Sequence, residues 1–189
     1  LHKTTSKLEP KLTKKTVWAD YATDNSYSAE ETKKKQAFIT LCSDRTKPGI
    51  LWDLGCNTGE YSKVALSAGA KKVIGFDFDQ MAIDLGFRRA AEESLHFFPV
   101  FFDAANPTPN QGWSEQERIG LHGRAHADGL LALALVHHLA IARNIPLPEV
   151  IRWIVSLAPT GIIEVVPKSD PMVTTLLGLR EDIFEQYNR

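Results

Sequence analysis

The sequence predicts an α/β domain with a doubly wound parallel sheet, and three observations carry that prediction. Short apolar runs alternate with helical patterns through most of the 189 residues. A turn of small residues, Gly55-Cys56-Asn57-Thr58-Gly59, lies between the first apolar run and the first helical pattern that follows it. Acids close the apolar runs at Asp53, Asp77 and Asp103. Strands that alternate with helices build a parallel sheet with helices on both faces, a Rossmann-like three-layer arrangement. Ligands of such sheets bind outside the carboxyl ends of the strands, beside strand one.

Residues 1–28 are read as an N-terminal arm and lid, and 29–189 as the main domain. The arm carries Lys3, Lys7, Lys11, Lys14 and Lys15 against Glu9, the composition of a solvated terminus. Its aromatics, Trp18, Tyr21 and Tyr27, imply that it folds back onto the domain. Ser28 with Glu31 fits a capping box, so a helix is expected from Ala29 to Leu41, with Lys33-Lys34-Lys35 on its solvent face.

Ile50-Leu51-Trp52 reads as the first strand, Glu60 to Ala68 as a helix, and Val73 to Phe76 as the second strand. Gly55 and Gly59 let the backbone turn sharply and approach a ligand with no Cβ in the way. The helix behind them presents unpaired N–H groups and a partial positive charge. Asp77, eighteen residues past Gly59, falls beside the turn, where a carboxylate accepts hydrogen bonds from ribose hydroxyls.

Gln80 to Ser94 is an amphipathic helix, with Ile83, Phe87, Ala90 and Ala91 on one stripe. Phe97 to Phe102 is the third strand, and Glu115 to Gly123 a short helix. Asp128 to Leu133 is the fourth strand, leading into Ala134 to Leu139. A helix from Pro148 to Ser156 begins with proline where its missing N–H costs little. Gly161 to Val166 is the fifth strand, and a helix follows near Pro171 to Leu177.

The totals exclude several classes. A hydrophobic fraction of 43%, a charged fraction of 24% and a net charge of −1 are ordinary for one globular domain. They give no pull towards nucleic acid or an anionic membrane. No apolar run reaches the length of a membrane span, and no signal-peptide pattern opens the chain. Cys42 and Cys56 are neither a disulfide framework nor metal ligands by spacing, so a reduced, cytoplasmic protein is the expectation.

The glycine turn reads D-x-G-x-N-x-G rather than the G-x-G-x-x-G of dinucleotide sites. Asp53 before the turn repels a pyrophosphate but suits a ligand bearing an ammonium and a sulfonium. This turn resembles motif I of the class I methyltransferases dependent on S-adenosylmethionine, D/E-x-G-x-G-x-G. Asn57 replaces the middle glycine, and Asn tolerates the left-handed backbone better than other residues. The segment W-A-D-Y-x-T-x-N-S-Y-S-x-E-E, residues 18–31, also resembles the opening of a bacterial family related to host-specificity nodulation proteins, themselves assigned as methyltransferases.

The resemblance implies S-adenosyl-L-methionine as cofactor and S-adenosyl-L-homocysteine as product. It implies a binding set of Asp53, Gly55, Cys56, Asn57, Gly59, Asp77, Phe78, Asp103, Ala104, Leu133 and Tyr27. Asp103 matches the acid that accepts from the adenine amino group, and the competing reading is an Asx turn opening the loop 106–110. The run D-x-x-L-x-L-x-L-x-H-H-L resembles the fourth strand of this family, which puts His137 and His138 where an acceptor approaches. Either is a candidate base, and the plain alternative for each is a packing or backbone-bonding role.

No D/N-P-P-Y/F follows the fourth strand and no Pro-Cys pair occurs, which argues against a nucleic-acid acceptor. A small molecule, a lipid or saccharide hydroxyl, or a protein side chain remains open as acceptor. A non-catalytic cofactor-binding partner subunit shares the fold, and an NAD(P) oxidoreductase fits the turn poorly. Members of the resembled family add two strands after the fifth, yet here only Pro167 to Arg189 follow, and the chain opens on Leu1. The expectation is a piece of a longer protein; if the chain is complete, its fifth-strand edge is expected to be covered by its own tail or by a second copy.

Overall fold

The computed structural model describes residues 29–124, 126–178 and 182–187. Five parallel strands form one sheet in the order β3-β2-β1-β4-β5. They are β1 (Leu51–Leu54), β2 (Val73–Asp77), β3 (Phe97–Phe101), β4 (Gly129–Ala132) and β5 (Gly161–Ile163). The main helices are α1 (Ala29–Thr46), α2 (Glu60–Ser67), α3 (Gln80–Glu92), α4 (Leu121–Arg124), α5 (Leu147–Ser156) and α6 (Pro171–Leu177). The order reverses at β1, whose neighbours are β2 and β4, and this is the switch point where such sheets bind ligands.

Strand parity divides the core. Leu51, Leu131 and Leu133 join Ile39, Ala65, Ile83 and Phe97 under α1 to α3. Trp52, Leu54, Leu130 and Ala132 join Val150 and Ile154 of α5 on the opposite face. Side chains alternate with a period of two, so each strand feeds both layers.

Several local expectations need correction. α1 runs on to Thr46, and Lys35 is not on a solvent face: its Nζ donates to Glu164 at 2.8 Å and lies 5.3 Å from the Tyr61 ring centroid. In α3 the small residues Ala82, Gly86 and Ala90 face the sheet, which rotates Phe87 outward to 66% exposure. The helix expected over 115–123 does not form. Gln111 and Arg118 instead exchange two backbone hydrogen bonds around a 3₁₀ turn, Trp113–Glu115, and Ser114 and Glu115 have positive φ. Only α4 remains of that helix.

β5 ends at Ile163, short of Val166, although Glu164 N–H still donates to the Ala132 carbonyl. Among the described residues the sheet stops there. Residues 182–187 return to this side of the domain, where the buried Tyr187 hydroxyl donates to the Val166 carbonyl at 2.7 Å. The chain's own tail therefore satisfies one carbonyl beyond β5. No helix among the described residues is long and apolar enough to cross a membrane.

Candidate functional site

A cavity opens across the carboxyl ends of β1, β2, β3 and β4, lined by Leu54, Gly55, Asn57, Phe76, Asp77, Phe78, Phe102, Ala104, Leu133, Ala134, Leu135 and His138. Its empty volume is about 690 Å³, including its open mouth. Strand order arranges these residues in sequence across the opening. Phe102 and Ala104 follow β3, Asp77 and Phe78 follow β2, the glycine turn follows β1, and Leu133 to His138 follow β4. The polar groups among them are few: Asp77, Asn57 and His138.

Asp77 is tied to the turn. Its Oδ2 accepts from the Asn57 N–H at 2.8 Å and its Oδ1 from the Asp79 N–H at 2.9 Å. Asn57 has φ of 48°, the left-handed backbone its side chain tolerates, and its Oδ1 accepts from the Thr58 N–H. A carboxylate has about four acceptor positions, so two backbone donors leave room for ligand hydroxyls. Burial holds the Asp77 carboxyl above its ordinary range, and the backbone N–H groups of Asp79, Asn57 and Phe78 oppose that rise. Asp79 caps α3 instead, accepting from the Met81 and Ala82 N–H groups.

Five residues of the expected site lie outside the cavity lining. Asp53 is inside β1 and shares the parity of Leu51, so its side chain points towards α2 and is 2% exposed. Ser62 Oγ donates to it at 2.6 Å. Burial pushes its carboxyl up to about 7, against the Ser62 hydrogen bond and with help from the Asp77 charge. Cys56 is buried against Gly75, its thiol pushed up chiefly by burial.

Gly59 has φ of 85°, but a Cβ there would meet no ligand space; it would come within 2.7 Å of Cζ of Phe97. The glycine makes room for an aromatic core residue. Asp103 forms the Asx turn: Oδ1 accepts from the Ala105 N–H at 2.9 Å, and Oδ2 accepts from Arg143 at 3.2 Å.

The two histidines separate. A left-handed Ala134, φ 49°, turns the chain from β4 into a π-type turn, His138–Ala142. His138 lines the cavity, whereas His137 is 2% exposed, with no partner for Nδ1 among the described residues. The rings pack 4.1 Å apart. Burial lowers both, and that of His137 falls to about 3, helped by the charge of a protonated His138. His137 is thus a packing residue and His138 is the one facing the site. The expected Tyr27 contact lies outside the described residues.

The sequence reading missed Leu54, Phe76, Phe102, Ala134 and Leu135 as lining residues. The first three are signalled by parity, as they close strands on the face opposite Leu51. Trp52, Phe76 and Phe102 stack edge to face at 5.2 Å and form a rigid aromatic floor. Nothing in the sequence marks Ala134 as left-handed.

Comparison with known proteins agrees with this architecture. Nodulation protein NoeA of Rhizobium meliloti (strain 1021) is 49% identical over 183 residues, covering 97% of this chain and 38% of that protein. The chain therefore spans well under half the length of that relative. The crystal structure of WbdD matches with a TM-score of 0.54 at 17% identity, over 98% of this chain and 40% of WbdD. WbdD is described as a bifunctional kinase-methyltransferase. The 4+2 cyclase SpnF matches with a TM-score of 0.51 at 16% identity, over 71% of this chain and 44% of SpnF. At such identities the likeness is one of fold. No protein-family profile matches the sequence.

Proposed function

Because the chain is a homologue of nodulation protein NoeA built on the class I methyltransferase fold, we propose that it binds S-adenosylmethionine and transfers its methyl group. The observation that carries this reading is the order of groups across the cavity. A carboxylate on β2 stands between an apolar wall after β3 and a histidine after β4. A nucleoside with its ribose at Asp77 has apolar surface for its base on one side and His138 towards its reactive end on the other.

The residues present suit this cofactor. Asp77 keeps free acceptor positions for ribose hydroxyls, and Phe78, Phe102 and Ala104 offer apolar surface to a base. A Cβ on Gly55 would point into open contact near Leu135 Cδ1, 3.6 Å away, where its absence widens the cavity beside the turn. Asp53, buried beneath the turn and bonded by Ser62, makes no direct contact with the cavity.

When bound, the cofactor supplies a methyl carbon already activated by the sulfonium, so the chain's main work is placement and exclusion of water. Leu133, Ala134 and Leu135 provide the dry wall for the acceptor. His138 stays neutral near pH 7, because burial lowers its pKa, and a neutral imidazole can take a proton from a hydroxyl acceptor. For an amine or thiol, deprotonation in solution makes that help dispensable. The acceptor class is a small molecule, a saccharide or a protein side chain.

SpnF shows that this fold also hosts other chemistry, so cofactor binding and turnover need separate tests. Transfer of a labelled methyl group from S-adenosylmethionine to fractionated bacterial small molecules, saccharides and proteins tests turnover. Label in one fraction that is lost in Asp77→Ala supports the reading. Tight cofactor binding with no labelled product in any fraction would favour a non-catalytic binding subunit.

A further inference from the structure

The backbone of His138 is fixed on both sides. Its N–H donates to the Leu135 carbonyl at 3.0 Å, and its carbonyl accepts from the Arg143 N–H at 3.1 Å, which closes the π-type turn. Val136, Leu139, Ala140 and Ile141 beside it are buried in one core with Val150 and Ile154 of α5 and Val173 of α6. That backbone does not by itself set the side-chain torsions of His138, and a neighbouring ring acts on them.

His137 is buried at 2% exposure, and its ring centroid lies 4.1 Å from that of His138 with the planes 41° apart. The two rings are in contact, with no room for water between them. Nδ1 of His137 has no hydrogen-bond partner among the described residues. A buried nitrogen without a partner costs stability, and a hydrocarbon ring in its place would not carry that cost. What the His137 ring does supply is a fixed surface against His138.

Burial, rather than a charged neighbour, lowers the His138 pKa, and the His137 ring is part of what buries it. Asp77 shares the cavity lining with His138, and the Arg143 guanidinium pairs with Asp103. Glu149 and Arg152 of α5 pair with each other at the surface, and α6 carries no titratable side chain. Glu185 and Tyr187 line a second cavity with Ala140.

Resting on the reading of His138 as the group that meets the acceptor, we propose that His137 is a positioning residue for it. The buried ring sets the plane of the His138 imidazole and takes the place of water beside it. His138 then meets an acceptor hydroxyl as a neutral, oriented base. The hydroxyl proton passes to an imidazole nitrogen and leaves its electron pair on the oxygen.

The test is nuclear magnetic resonance of isotope-labelled histidine rings across pH, without cofactor, in the wild type, His137→Ala and His137→Phe. His138→Gln assigns the His138 signal, and circular dichroism checks that each variant is folded. In the wild type His138 should titrate below the ordinary imidazole range, and His137 should stay neutral until about 3. His137→Ala admits water beside His138 and should shift its titration up towards the ordinary range. His137→Phe keeps a ring in place and should hold it down.

A His138 titration unchanged in His137→Ala, or raised as much in His137→Phe, would make His137 merely structural and overturn the proposal. Should His137→Ala not fold, the wild type decides. A His137 that titrates in the ordinary range is hydrated rather than packed on His138, which would overturn the proposal as well. Failure of the wild type to bind S-adenosylhomocysteine in calorimetry is a separate result, which would remove the cofactor reading and this role for His138 with it.

Discussion

The backbone N–H of Asn57 donates to Oδ2 of Asp77 at 2.8 Å, across twenty residues of sequence. One carboxylate therefore shapes the glycine turn and faces the cavity at the same time. The Asp79 N–H holds its second oxygen, so the group is rigid before any ligand arrives. Preorganisation of this kind lowers the ordering cost of binding.

Asp77→Ala should weaken S-adenosylmethionine binding by about tenfold or more, since each charge-assisted hydrogen bond to a hydroxyl contributes about 1.5–3 kcal/mol. It should also lower folding stability by about 1–3 kcal/mol, because two backbone donors lose their acceptor. Calorimetry and urea unfolding read the two effects separately. Unchanged stability would mean that the turn does not depend on this carboxylate.

The two turn glycines should fail in different ways. Gly59→Ala places a Cβ against the Phe97 ring on a backbone with φ of 85°, so the whole domain should lose stability by about 2–4 kcal/mol. Gly55→Ala meets only ordinary contacts and should lose about 1–2 kcal/mol from backbone strain, with cofactor affinity falling as the added methyl enters the cavity. Equal loss of stability in both, by urea unfolding, would contradict this division.

Asn57→Gly should keep both stability and cofactor affinity, whereas Asn57→Val should cost about 2 kcal/mol, since a branched side chain resists φ of 48°. Thermal unfolding with and without S-adenosylhomocysteine measures both. A binding defect in Asn57→Gly would mean that the Asn57 side chain, not its backbone, serves the ligand.

Stability should be nearly level between about pH 4.5 and 6.5, because the raised carboxyls of Asp53 and Asp77 oppose the lowered imidazoles of His137 and His138, with Asp53 and His137 the larger of each kind. Asp53, raised to about 7, gives stability that is full below its unfolded pKa of about 4 and lost as pH rises towards 7. His137, lowered to about 3, gives stability that is full above about 6.5 and lost as pH falls. Each slope is about 1.4 kcal/mol per pH unit at most, and the signs are opposite. Asp53→Asn removes one slope, so urea unfolding should then show stability falling steadily as pH drops from 6.5 to 4.5. A variant as level as the wild type would mean that Asp53 does not titrate in this window.

Most of the architecture is legible because it rests on periodicity and on the glycine turn. The five strands and the helices behind β1 and β2 follow from patterns that span many residues. The loop between β3 and β4 was misread because Pro107, Pro109 and Gly112 allow a bridge between Gln111 and Arg118 that local helical propensity does not reveal.

In the site, Gly55, Asn57, Asp77, Phe78, Ala104, Leu133 and His138 were legible from spacing and resemblance. Asp53 and Gly59 are expected at the ligand but do not line the cavity: Asp53 points towards α2 and Gly59 lies against the Phe97 ring. Strand parity pointed Asp53 towards α2, while only tertiary structure brings Phe97 over Gly59. The split between His137 and His138 depends on the left-handed Ala134, for which the sequence carries no sign.

The central claim is tested most directly by calorimetric titration of this chain, and of Asp77→Ala, with S-adenosylmethionine, S-adenosylhomocysteine and NAD. The account predicts that the two S-adenosyl compounds bind the wild type, that NAD does not, and that Asp77→Ala weakens both by about tenfold or more. Binding of NAD in preference to either, or S-adenosylmethionine affinity unchanged by Asp77→Ala, would contradict it.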